Sequence, residues 1–498
     1  MTTTNLEAVP DRVVPDLDEI LHALRVVVPE HCVLARQEQL RPYECDGLSL
    51  YRQIPMVVVL PENEAQVQGV LRAARRLNIP VVTRGAGTGL SGGAMPHAQG
   101  ILLGMSKLNK IKSIDPVAAT AVVEPGVRNL AVSEAVAHLG LYYAPDPSSQ
   151  IACTIGGNIA ENSGGVHCLK YGLTIHNVLK VRLVTMEGEI VELGSQAPDS
   201  PGPDLLSAFI GSEGMLGVVT EVTLRLLPKP ELAKVIMASF DDIDKAGASV
   251  AAVIGAGIIP AGLEMMDRQA TEMVEPFVNA GYDVAAEAIL LCESDGTTVE
   301  VAEEIERMIE VFEGVGATAI EVSKNEHERL RFWAGRKNAF PAAGRVSPDY
   351  YCMDGTIPRR HLSKVLKSID AMQSEFGLRC ANVFHAGDGN LHPLILFDSN
   401  KPEEVERAEA FGSAILQLCV QVGGTITGEH GVGLEKINEM CVQFSREELD
   451  IFLSVKRAFD PDGLLNPEKV IPTLVRCAEH GKMHVHGGKL PFADIPRF

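Results

Sequence analysis

Residues 56–83 set two short apolar runs around one amphipathic stretch. Met56 to Leu60 is apolar throughout and flanked by prolines, and Pro80 to Thr83 forms a second short run. Runs of this length read as buried strands. Between them Val67, Val70, Leu71, Ala74 and Leu77 recur at helical spacing, starting just after Pro61, which predicts a helix. A strand–helix–strand unit of this length favours parallel strands. The pattern predicts a further helix over Asn129–Leu139, stopped by Gly140, and a strand over Val219–Leu227. From about Lys229 glycine thins out, and longer amphipathic helices alternate with apolar strands. One such helix carries Val301, Ile305, Met308, Ile309 and Phe312 on one face. Another runs from about Pro402 to Val422 and ends at Gly423-Gly424. Pro228 and Pro230 mark the boundary between the two textures, and no internal repeat interrupts either. The expectation is an α+β chain with an N-terminal segment 1–50, a glycine-rich domain 51–228, a helix-rich domain 229–440 and a C-terminal segment 441–498.

A chain of 498 residues exceeds the roughly 250–300 residues at which a single core stops growing. Its formal net charge of -21 argues against nucleic acid as a partner, since that needs a basic face. The same charge obliges an anionic ligand to find a local cationic site. No apolar run approaches the ~20 residues of a membrane span, and MTTTNLEAVPDRVVPDLDEI lacks the pattern of a secretory signal. The ten cysteines include no CxxC pair, so the chain builds no iron–sulfur or zinc-ribbon site by cysteine alone. The expected compartment is the cytoplasm.

Three glycine-rich stretches then change the picture. Arg84-Gly85-Ala86-Gly87-Thr88-Gly89-Leu90-Ser91-Gly92-Gly93 follows a predicted strand, and glycines 87, 89 and 92 spell GxGxxG. The dinucleotide fingerprint also needs a helix at the third glycine and an acidic residue about 20 positions later. Here AMPHAQGILLGM follows instead, and no Gly-Lys-Ser/Thr makes a phosphate-binding P-loop. The loop by itself is equally compatible with a cradle for pyrophosphate and with a tight connection between strands. Pro145-Asp146-Pro147-Ser148-Ser149, leading to Gly156-Gly157-Asn158 and Asn162-Ser163-Gly164-Gly165, is the second stretch. Gly211-Ser212-Glu213-Gly214-Met215-Leu216-Gly217-Val218 is the third. Glycine loses the most conformational freedom on folding. Three such stretches in one half are best explained by a large polyphosphate-bearing ligand covering them.

These stretches, with FHAGDGNLH at 384–392, GEHG at 428–431 and FDPDGLLNP at 459–467, resemble flavoproteins of the vanillyl-alcohol-oxidase type. The phrases YECDGLS, RKNAFPAAGRVSPDYYCMDGTIPRR and the tail RCAEHGKMHVHGGKLPF are similar, more narrowly, to the FAD-binding subunits of bacterial glycolate oxidases. The resemblance implies a two-part FAD-binding domain, an antiparallel-sheet and helix substrate (cap) domain, and a C-terminal segment returning to the FAD site. It implies that Arg84, Gly85, Ala86, Gly87, Thr88, Gly89, Ser91 and Gly92 cradle the pyrophosphate. Pro145, Asp146, Ser148, Ser149, Gly156, Gly157, Asn158, Asn162, Gly164 and Gly165 would line the flavin ring and ribityl chain. Gly211, Glu213, Gly214, Gly217 and Val218 would pack on the adenine side, with Asn466 closing the site. Some relatives tether FAD through a histidine in the first loop; this loop has none, so noncovalent FAD is expected.

Oxidising a 2-hydroxy acid requires an anchored carboxylate, a base for the hydroxyl proton and an α-hydrogen facing the flavin. His385 and His392, with the remote Glu429, suit a divalent metal with open positions, although isolated histidines are more often structural. The resemblance matches these three to metal ligands, for zinc, manganese or iron, and leaves His430 as the natural base. Arg336, Lys337 and Arg345 are cationic candidates for the carboxylate, and Arg336 matches an arginine of the family; Asn390 is a further substrate candidate. Relatives that oxidise 2-hydroxyglutarate carry a polar residue two positions after the second histidine. Leu394 stands there, which favours glycolate or D-lactate over D-2-hydroxyglutarate.

The resemblance also implies a second flavin-domain subunit and an iron–sulfur subunit as partners, with the membrane reached only through them. Three other readings compete: an NAD-dependent dehydrogenase, a D-lactate or D-2-hydroxyglutarate dehydrogenase acting alone, and a non-catalytic flavin-binding subunit. His484 and His486 read as surface or partner-contacting residues, and Trp333, the single tryptophan, as core.

Overall fold

The computed structural model describes residues 15–197 and 202–472. The start of the N-terminal sequence, the tail 476–492 and the pair His484 and His486 lie outside the described residues.

The strand–helix–strand unit forms over Val57–Val59, Glu64–Arg76 and Val81–Arg84. Asn63 caps the helix by accepting the amide of Gln66, and Val67, Val70, Leu71 and Ala74 face the core. Both strands run parallel to Ile101–Gly104, which lies between them. The expected parallel pairing is thus mediated by the strand that follows the first glycine loop. Val33–Leu34 completes this sheet on the other edge. The helix Leu17–Val27 packs Ile20 and Leu24 on the same core.

A five-stranded antiparallel sheet follows, ordered Ile111–Asp115, Thr120–Val123, Val218–Arg225, Val178–Val184 and Ile190–Gly194. Helix Asn129–Val136 tightens into a 3₁₀ turn over Ala137–Leu139 and stops at Gly140, whose φ of 69° is left-handed, a conformation glycine adopts without a Cβ clash.

Beyond Pro228 the chain builds a seven-stranded antiparallel sheet, ordered 319–322, 232–240, 288–296, 262–267, 379–384, 393–397 and 349–352. Its strands are apolar on both faces because helices cover both. Ile236, Ala238 and Phe240 pack against Ile243–Gly255, Thr298–Val315, Leu362–Phe376 and Pro402–Gln421. Val235 and Met237 point the other way, toward Arg268–Val278, Glu326–Lys337 and Ala339–Val346. Trp333 is 1% exposed in that second core and donates its indole N–H to Glu293 at 2.5 Å. Glu264, inside the apolar stretch GLEMM, and Glu293, on the neighbouring strand, are 1% and 2% exposed.

After helix Arg446–Phe459 the chain returns to the first domain. Leu464 and Leu465 enter the N-terminal core, and Val81 bridges Leu465 in parallel. Asn466 donates its side-chain amide to the carbonyls of Gly93 and Glu213. No helix of the described residues is long and apolar enough to cross a membrane.

Candidate active site

A cleft of about 500 Å³ runs from the glycine loops to the end of the large sheet. Its walls include Gly85 to Gly89, Ser148, Ser149, Gly156 to Asn158, Glu213, Gly214 and Gly217 at one side, and His392, Glu429 and His430 at the other. Two buried hydroxyls of residues lining the cleft, Thr83 Oγ1 and Thr154 Oγ1, have no hydrogen-bond partner in the protein. A Cβ added at Gly85 would lie 2.5 Å from Thr154 Oγ1. The bare backbone and orphaned hydroxyls fit a polar ligand laid closely along these loops.

The other expected flavin residues support this wall without lining it. Arg84 donates to the carbonyl of Cys45 at 2.7 Å and lies beneath the loop, where a Cβ at Gly87 would collide with its guanidinium. The Ser91 carbonyl accepts the amides of Leu434 and Glu435, and Gly92 packs against Leu434. The Pro145 carbonyl accepts from Asn129. Asp146 bonds His167, and a Cβ at Gly165 would strike Asp146. Asn162 accepts the amide of Ile175, Gly211 donates to Ile159, and Val218 belongs to a core strand. Glu213 ties this wall to the loop after His430: its carboxylate accepts the amides of Val432 and Gly433 at 2.7 and 2.8 Å.

At the far side the structure brings His385, His392 and Glu429 together, with one donor atom from each within 4.8 Å of the others. Glu429 Oε1 lies 3.4 Å from His385 Nε2 and 3.2 Å from His392 Nε2. His392 Nε2 is buried without an aligned hydrogen bond. Strands 379–384 and 393–397 run into this corner, and Gly164 comes so close that a Cβ there would lie 2.4 Å from Glu429 Oε2. Glu264 bonds His385 Nδ1 at 2.6 Å and so turns Nε2 toward the site, the usual arrangement behind a metal-ligating imidazole. Burial alone would lower His385, but Glu264 and Glu429 outweigh it and hold the imidazole up at about 10. Two imidazoles and one carboxylate converging with an orphaned nitrogen fit a divalent cation.

His430 stacks parallel to His392 at 4.8 Å between ring centroids. Its Nδ1 is buried without a partner, and burial pushes its pKa down to about 4. At neutral pH it is an uncharged imidazole able to accept a proton.

Among the cations, Arg336 is buried at 3% exposure and donates Nε to Glu264 at 2.6 Å. Its Nη2 is buried and unpartnered; leaving such a donor unsatisfied costs about 1–3 kcal/mol or more, so a ligand oxygen there recovers free energy. Lys337 lines the cleft. Arg345 does not reach it: the side chain is exposed and lies over the Phe277 ring, 5.1 Å from its centre. The Asn390 amide faces Asp354 rather than the cleft. Phe340 and Tyr350, ring centres 5.5 Å apart, form an apolar wall beside Lys337. Sequence reasoning assigned nothing to Glu264, Asp354, Phe340 or Tyr350. A lone acid inside the apolar run GLEMM was the available signal for Glu264.

Comparison with known proteins decides what this cleft serves. Residues 55–194 match the FAD binding domain family, and residues 229–470 the C-terminal domain of FAD linked oxidases. The chain belongs to the FAD-linked oxidases. This FAD-linked oxidase is 61% identical to the glycolate oxidase subunit GlcD of Escherichia coli over 98% of both chains. It is 37% identical to the GlcD subunit of Bacillus subtilis, covering 86% of this chain and 91% of that one. A D-lactate dehydrogenase of Archaeoglobus fulgidus is 31% identical, over 84% and 92%. Among solved structures, p-cresol methylhydroxylase with bound substrate superposes with a TM-score of 0.76 at 19% identity, covering 90% of this chain and 96% of that one. The expected two-part fold, with FAD-binding and antiparallel-sheet domains, is the one observed, and the glycine loops at 85–89 and 156–158 fall within the FAD-binding-domain match.

Proposed function

We propose that this oxidase converts a short 2-hydroxy acid to the 2-oxo acid, with glycolate as the preferred substrate and D-lactate second. The observation that carries the reading is the buried, unpartnered Nη2 of Arg336, on a helix whose Lys337 shares the cleft with His392, Glu429 and His430. Glycolate and D-lactate are 2-hydroxy acids, and both occur in the names of the relatives.

Bound along the glycine loops, FAD would accept two electrons as a hydride from the α-carbon of the substrate. A divalent cation (zinc, manganese or iron) at His385, His392 and Glu429 would supply Lewis acidity to the substrate hydroxyl. The guanidinium of Arg336 anchors the substrate carboxylate, with Glu264 fixing its orientation. Lys337 adds positive charge at the cleft in a chain whose overall field repels anions. His430, uncharged at neutral pH, takes the hydroxyl proton. Phe340 and Tyr350 give the cleft an apolar wall beside Lys337, which suits a substrate with no side chain or a methyl group. Leu394 is packed in the core beneath the sheet and so offers no polar group to a second carboxylate.

Onward transfer would run through an iron–sulfur subunit of a complex that also holds a second flavin-domain subunit. The relatives named as GlcD subunits support assembly in a complex, and the chain's ten cysteines, with no CxxC spacing, are compatible with a cluster carried by a partner. In this reading the chain is cytoplasmic and meets the membrane only through those partners. A dye-linked assay on purified, FAD-loaded protein tests the proposal with glycolate, D-lactate, L-lactate and D-2-hydroxyglutarate. Glycolate should give the highest kcat/KM, with L-lactate and D-2-hydroxyglutarate at least tenfold lower. Preference for D-2-hydroxyglutarate would overturn the substrate assignment.

A further inference from the structure

Asp354 follows strand Asp349–Cys352 and is completely buried. Its Oδ2 accepts the backbone amides of Gly428 at 3.1 Å and His430 at 2.9 Å, and also the hydroxyl of Thr427. Its Oδ1 accepts the Asn390 side-chain amide at 2.9 Å and the backbone amide of Glu429 at 3.2 Å. The buried ammonium of Lys436 stands 3.5 Å from Oδ2 and donates to the Gly431 carbonyl at 2.8 Å. Three consecutive amides of one loop thus converge on a single carboxylate, the arrangement of an anion nest.

The segment carrying Asp354 also joins the two halves of the site. Thr356 exchanges backbone hydrogen bonds with Thr425 at 3.0 and 3.1 Å, just before the Glu429 loop. The Gly355 carbonyl accepts the amide of Leu391, next to His392. From that position we propose that Asp354 is a positioning residue, holding the loop of Glu429 and His430 at working distance from His392. The inference rests on the functional reading above.

Asp354, His392 and His430 also lie close enough to suggest a second set of metal ligands. The hydrogen bonds argue against that role. A cation on either oxygen of Asp354 would compete with the amide donors already on that oxygen, and a displaced buried N–H is left unpaired. An acceptor of loop amides acts through geometry instead, and a shift of about 1 Å in a reacting group can cost about 10²-fold in rate.

The test uses the FAD-loaded protein and two variants. Asp354→Asn keeps the shape but turns one acceptor oxygen into a donor facing backbone amides, and Thr427→Val removes only the Thr427 hydroxyl, which bonds Asp354 and the Gly431 carbonyl. FAD absorbance, bound metal, kcat, KM and the isotope effect with α-deuterated glycolate are read together. Asp354→Asn should retain FAD and metal, lose about 100-fold in kcat with KM within threefold, and show a larger isotope effect as C–H cleavage becomes limiting. Thr427→Val should show the same pattern at about fivefold. Loss of metal from Asp354→Asn, with activity restored by excess cation, would overturn the positioning role in favour of ligation. Unchanged kcat in Asp354→Asn overturns it outright. If that variant does not fold, unchanged kcat and isotope effect in Thr427→Val do so. A wild-type protein that holds FAD but oxidises no 2-hydroxy acid defeats the functional reading itself, an outcome distinct from failure of the variants.

Discussion

At the glycine-loop end of the cleft the wall is mostly backbone: Gly85 to Gly89, Gly156, Gly157, Gly214 and Gly217, with hydroxyls at Thr154 and Ser148. At the other end it is made of ionisable side chains, Lys337, His392, Glu429 and His430, backed by the buried Arg336, His385, Glu264 and Asp354. Small residues admit a large ligand by leaving room, and the positions tolerate little because any Cβ occupies that room. Charged residues act by what they hold, and they depend on partners from distant segments to stay oriented. Glu264 shows this dependence, since it bonds His385 and Arg336 at once from a different strand. One end should therefore fail by losing cofactor, and the other by losing turnover with the cofactor in place.

The largest expected effect is at the ionisable end. His430→Ala should lower kcat for glycolate by about 10²–10⁴-fold, the usual contribution of a general base, while the 450 nm flavin band of the purified protein is unchanged. Metal uptake comes next. His385 is held up at about 10 in the metal-free protein, and a ligating imidazole must be neutral. Below that pH, binding has to expel the proton. The apparent affinity of chelator-treated protein for Mn²⁺ should therefore rise about tenfold per pH unit between 6 and 9, as read by isothermal titration; a flat profile contradicts the assignment. The sign agrees with linkage: a raised histidine pKa stabilises the metal-free fold below about 6.5 and loses that contribution as pH climbs through 10.

Gly87→Ala probes the other end. Gly87 has φ of +72°, and an added Cβ would meet the Arg84 guanidinium. A strained backbone costs about 1–3 kcal/mol, so FAD affinity should fall about tenfold or more in a fluorescence titration, with metal content unchanged. The smallest effect is expected at Arg345. Because its side chain lies over Phe277 outside the cleft, Arg345→Ala should leave KM for glycolate within twofold. A tenfold rise would return Arg345 to the substrate site.

The two ends also differed in how readable they were. The glycine end announces itself locally, because a stretch such as GAGTGLSGG cannot fill a core and its residues are neighbours in the chain. Even there, Arg84, Gly165 and Val218 proved to support the wall from behind, a distinction of side-chain direction that composition does not carry. At the ionisable end, His385, His392 and Glu429 were legible as a set only through family resemblance, since Glu429 lies 37 positions after His392. Glu264 lies farther off still, and Asp354 sits in MDGT, where nothing local distinguishes it from a turn residue. The large sheet was legible as apolar strands, but not its order, which places strand 379–384 between 262–267 and 393–397 through pairings that no local pattern encodes. Arg345 was drawn in by proximity to Arg336 in sequence, although helix Ala339–Val346 carries it away from the cleft.

The central claim is that a 2-hydroxy acid reduces the flavin bound in this cleft, with the ionisable end providing the base. Anaerobic mixing of the FAD-loaded protein with glycolate, followed at 450 nm, tests it most directly. The account predicts rapid bleaching by glycolate, slower bleaching by D-lactate, and loss of both in His430→Ala with FAD still bound. A flavin that stays oxidised with every hydroxy acid, or that His430→Ala bleaches at the wild-type rate, would contradict it.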